Sequence, residues 1–481
     1  MSYVNAGDLR VIKDESDVLA TYDGAGKDAR AGIETELAFI DAKSLKPMTI
    51  AQNKTLKAIS HNALPGDWVR NEPTPETIEV NSLAAPLGDI RPVFDDINRK
   101  IQLVTEKAAG IGLKRSYFQE LPEKTAAALL QNIMPIDRYQ AFFVPVREDM
   151  KGFGEYFSVC KSNQVSVSYR DTDHMLANIR RLYFLAPFLF LLTDNSSGFR
   201  EGKKFTGHAG MNYRHDGLLE GRGAVPSYVF TAKNGEEYIR AHIEHVMTNP
   251  LFVHYDLEGD IVKLPAGQWT NFRDLEKQGL NIASNYFLAE TVLWPDVKIA
   301  ALRDDEGTVV NHRYEARMLG VGIHQHQTSF LVVSALAQNE TFAHNIDRLL
   351  AKHGFDTRKL QQAHVHLLAA YENARHHNNK FFDIAYGTGS MADFAKEFAD
   401  LIEIAYDGAG FDDELAPLLA ICRSGCTDAK INRILFDTLE KTLQIQKNYD
   451  PAIFENPNVS ARDVFRKEIR GKGEGACCCT S

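Results

Sequence analysis

Gly32-Ile33-Glu34-Thr35-Glu36-Leu37-Ala38-Phe39-Ile40-Asp41 is the stretch that decides the fold. A strand sends alternate side chains to the same face. Glu34 and Glu36, at i and i+2 and bracketed by Ile33, Leu37, Phe39 and Ile40, therefore project together from an otherwise apolar strand. Two like charges there repel, and burying them without a cation is unfavourable. A divalent metal bound by hard oxygen ligands is the simplest cation to place between them.

Three further clusters carry chemistry. Glu72-Pro73-Thr74-Pro75-Glu76-Thr77-Ile78-Glu79-Val80-Asn81 puts Glu79 on a short alternating strand, with Glu72 and Glu76 on a proline-shaped loop before it. Alone, such a cluster is also what a solvated surface looks like. His312-Arg313-Tyr314-Glu315-Ala316-Arg317 places Arg313, Glu315 and Arg317 on one strand face. That is either a cross-strand ion pair or a metal-ligand carboxylate between two phosphate-binding guanidiniums. Asn195-Ser196-Ser197, Glu201-Gly202-Lys203 and Arg214 lie on a cationic loop after an apolar helix. Such a loop can hold a carboxylate or phosphate, and solvated loops look the same.

Composition sets the outer bounds. The 481 residues are 44% hydrophobic and 25% charged, ordinary for a folded protein with a large core. A net charge of -10 argues against a broad nucleic-acid surface. The most apolar window, Leu182 to Leu192, holds Pro187 and reads as a buried core helix rather than a membrane span. The N-terminus lacks a basic patch followed by an apolar run, so the expected location is the cytoplasm. There is no G-x-x-x-x-G-K-[ST] phosphate loop.

Six cysteines, Cys160, Cys422, Cys426, Cys477, Cys478 and Cys479, show no disulfide or zinc spacing. Cys422 and Cys426 are at most a metal half-site. The terminal Cys478-Cys479-Thr480-Ser481 matches a prenylation box in form, with middle positions that are poorly aliphatic. The pairs His324/His326 and His364/His366 are read as structural, and His376-His377 as the C-terminus of a helix.

Strands are expected near residues 31–41, 76–83, 163–169, 226–231, 251–256 and 308–318. Helices are expected near 87–111 and through the apolar stretch ending at Leu192, then over 334–352, 357–375, 392–406 and 429–449. Taken in order, the motifs resemble those of the glutamate–cysteine ligase (gamma-glutamylcysteine synthetase) family of the glutamine-synthetase-like superfamily. Glu34 and Glu36 match its first metal-binding strand, Glu72 and Glu79 its second acidic motif, and Asn163 to Ser168 its central strand. Gln164 resembles the plant and proteobacterial branch. Asn195-Ser196-Ser197 with Glu201-Gly202-Lys203 resembles that branch's "NSP…EGK" loop, with Ser197 in place of proline. Tyr314-Glu315-Ala316-Arg317 resembles its "YLEMR" strand.

The resemblance spans about residues 30–330 and implies an α+β fold. An antiparallel sheet forms an active-site funnel, flanked by helices and followed by a helical C-terminal portion. The implied organisation is an irregular lead-in (1–30), a catalytic core (31–330), a helical portion packed on it (331–470) and a flexible Cys-rich tail (471–481). The implied reaction joins the γ-carboxylate of glutamate to an amine, cysteine first, through a γ-glutamyl phosphate. ATP and Mg²⁺ are the implied cofactors, glutamate, an amine and ATP the small-molecule partners, with no nucleic acid among them, and glutathione synthesis the pathway. Glu34, Glu36, Glu72, Glu79 and Glu315 would hold metal. Arg317, with Arg313, would face the transferring phosphoryl group, Arg214 and Lys203 would contact substrate, and Gln164 would contact substrate or join the metal as a neutral co-ligand. The competing readings are a ligase for another amine and a catalytically silent relative acting through a partner.

Overall fold

The computed structural model describes residues 8–22, 29–159, 161–217, 222–303, 309–322 and 324–449. Cys160, the stretch 450–470 of the expected helical portion and the whole tail with Cys477, Cys478 and Cys479 lie outside the described residues.

An eight-stranded sheet organises the chain. Its members are β1 (Arg30–Asp41), β2 (Val69–Asn71), β3 (Thr77–Asn81), β4 (Ala85–Pro86), β5 (Leu113–Arg115), β6 (Asn163–Ser168), β7 (Val297–Arg303) and β8 (Val309–Leu319). The spatial order is β7-β8-β6-β1-β3-β2, and β4 and β5 pair with opposite ends of β1. All of these pairings are antiparallel. The fold is therefore the expected α+β class with an antiparallel sheet.

Directly opposed residues of an antiparallel pair share a face. Ile33 opposes Val165, Leu37 opposes Ile78, Thr35 opposes Val80, and Tyr314 lies between Val167 and Ile299. These side chains are buried and form the sheet's apolar face. Burial of each large aliphatic one stabilises the fold by roughly 1.5–3 kcal/mol. Helices Arg91–Gly110, Thr172–Leu192 and Gln325–Gln338 pack against strands of the sheet. Period 2 then forces Glu34, Glu36, Glu79, Gln164, Glu315 and Arg317 onto the opposite face.

Thr172–Leu192 is capped by Asp171, whose carboxylate accepts the His174 N–H at 2.7 Å. Among the described residues it is the one helix long and apolar enough to cross a membrane, and 83% of that window is buried inside the fold. It is a core helix.

Several expectations are corrected by tertiary context. Residues 226–231 form a helical turn, Tyr228–Thr231, rather than a strand. There Phe230 is buried and stacks on His364 at 4.7 Å. The helix expected over 334–352 is two, Gln325–Gln338 and Glu340–Lys352. Asn339 ends the first and caps the second, accepting the Phe342 N–H at 2.9 Å. Likewise 429–449 divides into Asp428–Leu435 and Leu439–Asn448, with Thr438 as the second cap. The lead-in is packed as well as irregular: Ile12, Val18 and Tyr22 are buried. The boundary at 330 falls within Gln325–Gln338, which packs on β1 and β6. Cys422 is a buried free thiol and Cys426 is disulfide-bonded, so this pair is not a metal half-site.

Candidate active site on the polar face of the sheet

Register alone assembles the row of functional side chains. Glu36 opposes Glu79 on β3, and Glu34 opposes Gln164 on β6. Glu315 on β8 lies between Ser166 of β6 and Lys298 of β7. Glu72 follows β2 immediately, and Arg70 of β2 opposes Glu79. Five carboxylates far apart in sequence thus come to one buried surface. Glu34 and Glu36 are 8% and 9% exposed, Glu72 7%, Glu79 1% and Glu315 2%.

Hydrogen bonds hold the row. The Ser162 N–H donates to Glu36 Oε2 at 2.7 Å, and Gln164 Nε2 donates to Glu36 Oε1 at 2.8 Å. Asn81 Nδ2 donates to Glu79 Oε1 at 2.8 Å, and Ser166 Oγ to Glu315 Oε2 at 3.0 Å. Arg313 pairs with Glu315 at 3.0 Å and with Glu34 at 3.7 Å, while Arg317 pairs with Glu315.

The electrostatics divide the row in two. Loss of water pushes the Glu36 carboxyl up to about 7, with repulsion from Glu79 adding to it. The same loss of water, then Glu36 and Glu79 nearby, hold Glu72 well above the usual carboxylate range. Burial also acts to raise Glu315, but Arg313 and Arg317 beside it hold it far below that range. One end is an ion-paired acid between guanidiniums. At the other, Glu36 and Glu72 are buried acids that loss of water and mutual repulsion raise together.

That second set suits a hard divalent cation. Its donors are carboxylate oxygens, and Gln164 Oε1 faces them buried and without a hydrogen-bond partner. Among the described residues no three acidic, histidine or cysteine side chains are already drawn into a metal-ligand cluster. Mutual repulsion keeps such carboxylates apart until a cation draws them in.

Cavities open toward both ends of the row. One of about 670 Å³ reaches Arg317, Lys161, Ser162, Tyr156 and Glu120. Another of about 870 Å³ reaches Glu34, Arg70, Ser166, Ser168 and Arg313. Gly320 shapes the first, because a Cβ there would lie 2.3 Å from Thr193 O. The bare backbone lets the end of β8 dock on Thr193, whose Oγ1 accepts the Gly320 N–H at 2.7 Å.

The chain matches no family model and no curated protein sequence. Among solved structures, the glutamate–cysteine ligase of Francisella tularensis in complex with AMP superposes with a TM-score of 0.52 at 10% identity, over 95% of this chain and 97% of that one. The chain has the glutamate–cysteine ligase fold. A bifunctional glutathione synthetase of Pasteurella multocida is similar at TM-score 0.36, 10% identity, 92% of this chain and 57% of that one. A glutamine synthase homolog is similar at TM-score 0.32, 10% identity, 85% and 70%.

On this glutamate–cysteine ligase fold the ten candidate residues are distributed unevenly. Glu34, Glu36, Glu72, Glu79, Gln164, Arg313, Glu315 and Arg317 share the row or its edge. Lys203 lies exposed on the hairpin formed by Phe199–Arg200 and Lys203–Lys204. Its neighbours Arg200 and Glu201 line the 670 Å³ cavity. Arg214 also lines that cavity, with its guanidinium engaged by protein groups. Its Nε pairs with Asp296 at 2.6 Å, Nη1 donates to Tyr156 OH at 3.1 Å, and Nη2 donates to Trp294 O and Pro295 O, each at 2.9 Å. Breaking a buried pair by removing one partner costs about 3–5 kcal/mol. Arg214→Ala is therefore expected to lower the urea midpoint by that equivalent. Wild-type stability in that variant would return Arg214 to substrate binding alone.

Asn195, Ser196 and Ser197 are buried, and Ser197 donates from N and Oγ to Glu120 Oε1 at 2.6 and 2.7 Å. These bonds hold Glu120, which lines the 670 Å³ cavity. Sequence reading missed Lys161 and Lys298. Lys161 is buried 3.7 Å from Glu76, and Lys298 is buried across from Glu315. The signal for Lys298 was a lone cation in the apolar run Val297-Lys298-Ile299-Ala300-Ala301-Leu302. Lys161 carried no local signal.

Proposed function

We propose that this chain is an ATP- and Mg²⁺-dependent carboxylate–amine ligase that joins the γ-carboxylate of glutamate to an amine, L-cysteine first among candidates. The observation that carries the proposal is the row Glu72–Glu79–Glu36–Glu34–Glu315 beside Arg313 and Arg317. It lies on the polar face of a sheet whose fold matches a glutamate–cysteine ligase over nearly both chains. In this reading the site lies in the cytoplasm and serves glutathione synthesis.

The chemistry must bring three anions together: a triphosphate, a carboxylate and the group in transfer. The γ-phosphorus bond to its bridging oxygen breaks as a carboxylate oxygen bonds that phosphorus, giving an acyl phosphate and ADP. The amine nitrogen then bonds the acyl carbon, phosphate leaves, and the nitrogen gives up a proton. Glu34, Glu36, Glu72, Glu79 and Glu315, with Gln164 Oε1, would hold Mg²⁺, which supplies charge neutralisation and alignment of phosphate oxygens. Arg317 and Arg313 stabilise charge on the phosphoryl oxygens with donors already in place. Tyr156, Lys161 and Arg200 give the 670 Å³ cavity the mixed apolar and cationic wall that an amino-acid substrate requires. Lys203 and Arg214 are assigned to the rim and wall of that substrate cavity.

The test is phosphate release with single omissions. Turnover is expected only with ATP, Mg²⁺, glutamate and an amine together, and ATP hydrolysis indifferent to glutamate would overturn the reading. A mass-spectrometric screen of amines names the acceptor. Ligands must lose their protons to bind a metal. The Mg²⁺ concentration for half-maximal turnover is therefore expected to fall as pH rises from 6 to 8, through the Glu36 value of about 7. A flat Mg²⁺ requirement over that range would remove Glu36 from the metal.

A further inference from the structure

Glu120 is a buried carboxylate in the wall of the 670 Å³ cavity, 7% exposed, to which no step above gives a role. The framework fixes it from two sides. It follows β5, which pairs with β1. The loop after helix Thr172–Leu192 binds the same segment: Gln119 Nε2 donates to Asp194 Oδ1 at 3.2 Å, and Asn195 Nδ2 to Tyr117 O at 2.8 Å. Ser197 donates from N and Oγ to Glu120 Oε1, whereas Oε2 is buried without a hydrogen-bond partner.

A buried carboxylate oxygen is unfavourable unless a donor or a cation meets it. The buried cations of the same wall are engaged elsewhere: Lys161, Arg214 and Arg317 pair with Glu76, Asp296 and Glu315. Arg433, whose field reaches Glu120, donates to Asn379, Ser196 and Gly207 O. Loss of water, with Asp194 adding to it, pushes the Glu120 carboxyl up to about 7 against the two Ser197 bonds. Glu201, the other acid of that wall, is exposed and accepts the Ala126 N–H. Once open solvent is left out, the cavity still has room for several waters. That space admits an ammonium and the carbon that carries it.

We infer that Glu120 Oε2 receives the ammonium of the acceptor amine and takes the proton that frees its nitrogen lone pair. The inference rests on the ligase reading and adds the form in which the acceptor enters, a primary ammonium rather than a neutral amine. Glutamate brings an ammonium as well, but only the acceptor's has to become a nucleophile. A carboxylate whose proton affinity is raised toward neutrality suits that task. The same cavity reaches Arg317, assigned above to the phosphoryl group. One proton passes from nitrogen to Glu120, and the freed lone pair bonds the acyl carbon. The bond from that carbon to the phosphate oxygen breaks, its electron pair leaving with phosphate. The second nitrogen proton, acidic once the new bond forms, goes to the departing phosphate, and Glu120 returns its own to solvent.

L-Cysteine is the probe, with ATP, Mg²⁺ and glutamate saturating. Glu120→Gln keeps an oxygen for both Ser197 donors and removes the charge. It is expected to lower kcat/KM for cysteine by about 100-fold or more, with KM for glutamate within about threefold of wild type. Hydroxylamine, already neutral at the assay pH, needs no proton acceptor, and the variant should use it within about threefold of wild type. A comparison on the wild-type chain needs no variant. In calorimetry, 3-mercaptopropionate, which is cysteine without its ammonium, should bind at least about tenfold more weakly than cysteine.

Unchanged cysteine kinetics in a folded Glu120→Gln overturn the proposal. So does an equal loss with cysteine and hydroxylamine, which would make Glu120 a support for Ser197 alone, and so does a wild-type chain that binds cysteine no better than 3-mercaptopropionate. Failure of the ligase reading looks different: wild type then releases no glutamate-dependent phosphate with either acceptor. In that case a preference for cysteine over 3-mercaptopropionate that Glu120→Gln abolishes keeps the ammonium site and removes the reaction.

Discussion

Glu36→Gln is expected to reduce turnover by about 1,000-fold while raising the thermal midpoint of the metal-free protein. Both effects have one source. Lifting the folded carboxyl from 4.5 to about 7 disfavours the ionised folded state by on the order of 3 kcal/mol. The amide has no charge to desolvate. It can accept only one of the two bonds that Ser162 N and Gln164 Nε2 now make, which takes back about 1 kcal/mol. The net gain of about 2 kcal/mol corresponds to a rise of a few degrees.

Because the folded value lies above the unfolded one, the wild-type contribution is fully present below about pH 4.5 and is lost as pH rises through about 7. The difference between variant and wild type should thus shift by about 3 kcal/mol across that window, from about 1 kcal/mol in favour of wild type at pH 4.5 to about 2 kcal/mol in favour of the variant above pH 7.5. Scanning calorimetry in a chelator at several pH values measures it. A variant no more stable than wild type at pH 8 would mean that Glu36 is compensated in the metal-free chain. Excess Mg²⁺ should reverse the order, because it stabilises only the chain that binds it. Glu79→Gln, directly opposite, is expected to lose activity as completely; wild-type turnover in either variant would sink the metal assignment.

Arg317→Ala is expected to lower kcat by about 1,000-fold, the magnitude associated with an arginine that meets charge on a transferring phosphoryl group, with KM for glutamate changed less than fivefold. An interaction made only in the transition state lowers kcat without weakening substrate binding. Arg317→Lys should rescue little, since its guanidinium both pairs with Glu315 and presents a planar fork to the site. A large rise in KM with kcat preserved would move Arg317 to substrate recognition. The variant also leaves Glu315 with Arg313 as its guanidinium partner, so melting curves belong beside the kinetics.

Much of the site was legible because a strand encodes its faces locally. Glu34 and Glu36, Gln164 and Ser166, and Arg313, Glu315 and Arg317 each declare a shared face through alternation, needing no knowledge of their neighbours. The strands 31–41, 76–83, 163–169 and 308–318 were found for the same reason. Strand β7 was not, because Val297-Lys298-Ile299-Ala300-Ala301-Leu302 has no polar alternation and becomes a strand by pairing with β8. Residues 226–231 carried a β-like composition, and packing of Phe230 beside His364 made them a helical turn. Arg214 looked like any cation on a polar loop. Its bond to Asp296 spans 82 residues, and no local pattern encodes it.

By itself, then, the sequence determined the strand faces, the acidic and cationic character of each, and the class of fold those motifs imply in order. Tertiary structure alone decided which faces meet. Cross-strand register set Glu36 against Glu79 and Lys298 against Glu315, turning scattered charges into one desolvated row. The physical reason is range. Side-chain alternation is a property of a single strand, whereas burial and charge compensation depend on contacts between separate segments, some near in sequence, as Lys298 and Glu315 are, and some far, as Glu34 and Arg313 are.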